Sequence, residues 1–166
     1  MGLVSPGEMT PYCGGSIITS RHILTAAQCT FDRYTASVKP ATALQVLVGE
    51  HDVSDTEVDQ RDVSSISLHP QFDFSNMSYD ISILTLLSEI TFSSTVSPIC
   101  LPTPPDDSSA YPDYSGQVAI VAGWGVTSLD YGGSPASTLQ EAAVAIVSNQ
   151  DCNNTYYGQF NFEITK

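Results

Sequence analysis

The chain has 166 residues, 42% of them hydrophobic and 14% charged, with 5 Lys and Arg against 18 Asp and Glu and a formal net charge of −13. That composition describes a globular domain, or part of one, and excludes a disordered segment. The acidity argues against nucleic acid and anionic membrane as partners, because both need a basic face, and no run of 18 apolar residues is present to span a bilayer.

In chain order, residues 1–12, "MGLVSPGEMTPY", lack the basic start and apolar stretch of a signal peptide. Pro6 occupies the place where a myristoylation motif needs Ser or Thr. "ALQVLVG" alternates Leu44, Val46 and Val48, "ISILTLL" is a β-branched and leucine run from Ile81 to Leu87, and "QVAIVAGWG" alternates Val118, Ile120 and Ala122. "EAAVAIVS" repeats the pattern, with turn residues between the runs. Period two bounded by Gly, Pro, Asn and Ser predicts strands. One short helix is predicted after Ser148, where Ser-x-x-Asp151 reads as a capping box. Many short strands with little helix mean an all-β sandwich or barrel. "LPTPPDDSSAYPDYSG", with four prolines and three aspartates, is a connector between two β units.

Cys13, Cys29, Cys100 and Cys152 form an even set, and two sequons, "NMS" at Asn76 and "NNT" at Asn153, mark glycosylation sites. Together they point to an oxidising, secretory compartment. No cysteine or histidine spacing suits zinc.

"CGGSIITSRHILTAAQC" closely resembles the histidine-loop segment of trypsin-like serine proteases. "YDISILTL" resembles the segment around their buried aspartate, "SPICLP" their inter-barrel connector, "VAGWG" the strand that opens their second barrel, and "SNQDCNNTYYG" the short helix that follows. The resemblance covers about residues 10–160. It implies an all-β, two-barrel fold: 10–98 as a nearly complete first barrel, 99–116 as connector, and 117–166 as the start of a partial second barrel. The implied activity is serine endopeptidase, acting on protein or peptide substrates as a secreted monomer with no required cofactor.

In that chemistry a serine hydroxyl becomes a nucleophile when an imidazole takes its proton, and a buried carboxylate holds the imidazole. Asp80 matches the carboxylate. Gln28 stands where the histidine is expected, and an amide neither accepts nor returns a proton in the usable range. It can still donate an N–H to Asp80. His22, His51 and His69 are expected to have core or surface roles and do not replace the base.

No nucleophile segment of the G-D-S-G-G-P type occurs in the 166 residues. The resemblance also implies that the I-V-G-G terminus and the first strand are missing, since only twelve residues precede Cys13. It implies a Cys13–Cys29 disulfide and leaves Cys100 and Cys152 unpaired here. "GEHDVSDTEVDQ" resembles the calcium loop of trypsins: Glu50 and Glu57 would supply carboxylates, Asp52 and Asp55 main-chain carbonyls, and Asp59 a possible last ligand. The expectation is therefore a trypsin-family domain that is inactive as written. The alternatives are a fragment of an active secreted endopeptidase and a non-catalytic homologue that binds.

Overall fold

A computed structural model describes residues 1–55, 58–102, 113–127 and 133–160. Eleven strands are named among them: β1 (Gly2–Val4), β2 (Cys13–Gly14), β3 (Ser16–Ile17), β4 (His22–Thr25), β5 (Phe31–Asp32), β6 (Ser37–Val38), β7 (Gln45–Val48), β8 (Asp59–Leu68), β9 (Ser82–Leu86), β10 (Val118–Gly123) and β11 (Gln140–Ala145). The helices are α1 (Ala27–Thr30) and α2 (Asn149–Phe160). The protein is all-β with a nearly closed barrel and a second, partial sheet.

Seven strands form one antiparallel sheet in the order β2-β1-β7-β8-β9-β4-β3. Its two ends, β2 and β3, are separated in sequence by Gly15 alone. The sheet must therefore curl until its edges meet, which removes the exposed edges that a flat sheet would present. Only glycine fits at the seam: a Cβ on Gly15 would lie 2.8 Å from the Leu24 carbonyl oxygen and 2.5 Å from the Met1 side chain. Thr25 Oγ1 adds a stitch by donating to Gly14 O (2.8 Å).

A strand does form ahead of Cys13, contrary to the expectation that the first strand is missing. β1 pairs with both β2 and β7. Leu3 and Val4 are fully buried. Three consecutive apolar residues carry too little periodicity to be read as a strand, and their pairing comes from neighbours on either side in the barrel.

The core gathers Leu3, Ile17, Ile23, Val46, Leu84 and Leu86 from five strands. β9 alternates as its sequence pattern predicts, with Ser82, Leu84 and Leu86 buried and Ile83 exposed. β7 does not alternate. Leu47 is as fully buried as Val46, so this central strand is covered on both faces. The β10–β11 ribbon differs again, with Val118 71% and Ile120 63% exposed.

The predicted helix after Ser148 is α2. Ser148 Oγ accepts the Asp151 N–H (3.0 Å) and donates to Asp151 Oδ2 (2.7 Å). Serine thus satisfies a free amide of the first turn, and the acidic side chain holds the serine in place. Most of the predicted connector, residues 103–112, lies outside the described residues.

Candidate functional site

α1 is a single turn, and its N-cap residue Ala26 has no side chain that could cap it. The missing acceptor comes from 52 residues away. Asp80 Oδ1 accepts the backbone N–H of Gln28 (2.8 Å), and Oδ2 accepts the Gln28 side-chain Nε2–H (2.7 Å). One carboxylate therefore caps the turn and holds the glutamine amide. Both bonds are short, as expected with a charged acceptor.

Asp80 is aimed by the loop between β8 and β9. The Ile81 N–H donates to Tyr79 O (2.7 Å), closing a three-residue turn with Asp80 at its apex. Tyr79 has φ +55° and Met77 φ +56°, left-handed values that cost a non-glycine residue of order 1–3 kcal/mol and cluster at functional sites. The His69 ring stacks on Tyr79 with centroids 4.7 Å apart and planes 5° from parallel, bracing the strained residue.

The other side of the loop rests on the segment just after Gln28. Phe31 contacts Phe72 edge-on and Phe74 by stacking, each at 5.5 Å between centroids. Below, Thr30 and Ser82 are almost completely buried. Thr30 Oγ1 donates to Ala27 O (3.0 Å) and Ser82 Oγ donates to Ser67 O (3.3 Å), so neither hydroxyl is orphaned. At the far end of α1, Cys29 O accepts Tyr12 Oη–H (3.2 Å) and Lys39 Nζ–H (3.1 Å).

The structure therefore brings Gln28 and Asp80 together and joins Cys13 to Cys29 by a disulfide, with Cα atoms 6.1 Å apart. Cys100 and Cys152 are free. The histidines lie elsewhere. His22 Nδ1 is 2.8 Å from Thr19 Oγ1, His69 Nδ1 accepts the Gln71 N–H (3.2 Å), and His51 uses its carbonyl to receive Trp124 Nε1–H (3.1 Å). None of them bonds Asp80 or Gln28 among the described residues. The corner pairs one carboxylate with one amide, and the Gln28 amide, unlike an imidazole, does not accept a proton in the usable range.

Glu57 lies outside the described residues. Of the other acidic-loop residues, Asp59 is engaged by Arg61, whose Nη2 donates to Oδ2 (2.8 Å) with Nε 2.6 Å from Oδ1. Asp52 Oδ1 accepts both the hydroxyl and the N–H of Ser54. These bonds hold its carboxyl below the usual range. Burial, then the charges of Asp55 and Asp52, push Glu50 up. Among the described residues no three ligating side chains converge as a metal would require.

Sequence reasoning missed the aromatic support of Phe31, Phe72 and Phe74, and the cap that Asp80 provides. The only local signal was the aromatic pair in "FDF", which names no partner.

The Trypsin family model matches residues 2–166. Proclotting enzyme of Tachypleus tridentatus is 31% identical over 159 residues, covering 93% of this chain and 41% of that protein. Venom serine protease Bi-VSP of Bombus ignitus is 36% identical over 146 residues, covering 87% and 38%. Trypsin-1 of Astacus astacus is 35% identical over 147 residues, covering 87% and 57%. The chain thus spans between 38% and 57% of the length of these three relatives.

Proposed function

The chain belongs to the trypsin family of serine proteases, and on that premise we propose that it forms part of a trypsin-type domain that binds polypeptide without cutting it. The observation that carries this reading is the Gln28 amide seated on Asp80 through Nε2 at 2.7 Å. Where the family chemistry requires a base, this residue donates a hydrogen bond and cannot take up a proton. The carboxylate stays satisfied, so the architecture survives the loss of the reaction.

The experiment compares the full-length parent protein, activated, with its Gln28→His variant on a panel of fluorogenic peptides. We expect no turnover above buffer for Gln28. Losing the histidine of a serine-protease triad costs about 10⁶ in kcat, which bounds the gain on restoring it. Hydrolysis by the Gln28 protein at a rate comparable to the histidine variant overturns the reading.

The alternative is a working secreted endopeptidase with histidine at this position. It is favoured by the relatives' names and by a glutamine codon differing from histidine's only in its third base. Reading the parent transcript at codon 28 separates the two.

Secretion is supported by the disulfide and the two sequons. The net charge of −13 supports a monomer that avoids nucleic acid and anionic membrane. No helix among the described residues is long and apolar enough to cross a membrane. Calcium in the acidic loop is a testable extension that rests on the resemblance of residues 49–60 to a calcium loop. A melting midpoint unchanged by chelator removes it.

A further inference from the structure

The two sequons are the one sequence feature that neither the family chemistry nor the Gln28–Asp80 corner absorbs, and the fold treats them differently. Asn76 is exposed at the tip of the loop between β8 and β9. Its Oδ1 accepts the Ser78 N–H (2.9 Å), which engages the amide oxygen and leaves the nitrogen clear of every described contact. The loop is held on both sides of this point. Asp73 and Ser78 form an isolated antiparallel bridge, and Asp73 Oδ1 accepts the Ser75 N–H (2.8 Å). The Phe74 ring lies on Phe31.

Asn153 sits inside α2 and is half-buried. The hydroxyl its sequon depends on is already used, because Thr155 Oγ1 donates to Asp151 O (2.9 Å) one helical turn back. A sequon is a surface-loop feature, since the Asn nitrogen and the hydroxyl two residues on must both reach the transferase. A helical backbone with this hydroxyl bonded to its own carbonyl does not offer the second of these.

From this contrast we propose that Asn76 carries an N-linked glycan at the rim of the Gln28–Asp80 corner, and that Asn153 carries none. The donor is an oligosaccharide linked through pyrophosphate to a lipid. Asn76 Nδ2 loses a proton to a base of the transferase and forms a bond to the anomeric carbon. The bond from that carbon to the pyrophosphate oxygen breaks, and the lipid pyrophosphate leaves as an anion. Attachment does not consume Oδ1, so its bond to the Ser78 N–H persists in the glycosylated protein.

Asn76 precedes Asp80 by four residues, at most about 14 Å of extended chain. Phe74, two residues before it, packs on the residue that directly follows α1. A hydrated sugar at this point therefore stands beside the corner, on the side of the β8–β9 loop, and leaves the barrel core untouched.

The test expresses the full parent chain in secretory eukaryotic cells, releases N-glycans with a peptide glycosidase in heavy-oxygen water, and maps the labelled aspartates. We expect label at residue 76 and none at 153. Asn76→Gln and Ser78→Ala should each remove one glycan's mass, and Thr155→Ala should remove nothing. Ser78→Ala keeps the asparagine, so a folding fault specific to Asn76→Gln is recognised. An unlabelled residue 76 in secreted protein, or a glycan that Thr155→Ala abolishes, overturns the inference. Its outcome is independent of the binding reading: an active Gln28 protein leaves it intact, and a bare Asn76 leaves that reading intact.

Discussion

Replacing Asp80 by alanine should cost more than replacing the residue it holds, and the difference can be worked from two bonds. Gln28→Ala removes only the side-chain bond to Oδ2, leaving the backbone N–H on Oδ1. Gln28 is exposed, so that bond lies near the solvent-screened end of the scale, about 1 kcal/mol. Asp80→Ala removes both. It also strips α1 of the acceptor that Ala26 cannot supply, and losing a cap costs about 0.5–2 kcal/mol. The single changes should then cost roughly 1 and 1.5–3 kcal/mol, and the double variant no more than Asp80→Ala alone, because its partner is already gone. The coupling is therefore about 1 kcal/mol, with the backbone bond outside it. Urea denaturation of the parent domain and the three variants reads these values. Equal costs for the two single changes would refute the cap and leave Asp80 as an ordinary turn aspartate, and additive costs in the double variant would refute the side-chain bond between Gln28 and Asp80.

Removing the Cys13–Cys29 bridge by a double change to alanine should cost roughly 3 kcal/mol, because it closes a separation of 16 residues; reducing conditions should lower the melting midpoint of the unmodified protein to that of the double variant. Leu84→Ala, at a fully buried position, should cost about 2–5 kcal/mol. Ile83→Ala, one residue along on the exposed face, should cost far less, and comparable losses would contradict the alternation of β9. Asp52, Asp73 and Asp113 each accept the hydroxyl and N–H of a serine two residues on, which lowers all three carboxyls. A lowered folded pKa means the ionised form stabilises the fold. That contribution is complete above the ordinary aspartate value of about 3.9 and is lost as pH falls below it through the folded values. Stability measured from pH 6 to pH 2 should decline in that lower window, and Asp73→Asn should make the decline shallower.

Local patterns were legible where one face of an element meets the core and the other meets water. β9 and the Ser148–Asp151 start of α2 are of this kind, since period two and a capping box are set within a few residues. β1 and Leu47 were not, because their burial depends on strands brought alongside by barrel closure. The Gln28 substitution was visible in "TAAQC", and the role of Asp80 followed from its resemblance to a family segment. The capping of α1 by that same carboxylate could not be read, because Ala26 gives no hint of where its substitute comes from.

By itself the sequence determined the all-β class, the family resemblance and the absence of a titratable base at residue 28, because residue chemistry and short-range periodicity need no neighbours. Only the tertiary structure decided that Asp80 both caps α1 and holds the glutamine amide. It alone packed Phe72 and Phe74 on the Phe31 that follows α1, and set one sequon on an exposed loop and the other in a helix. These are contacts across tens of residues, and the closing of the barrel, which Gly15 permits, brings such distant segments together.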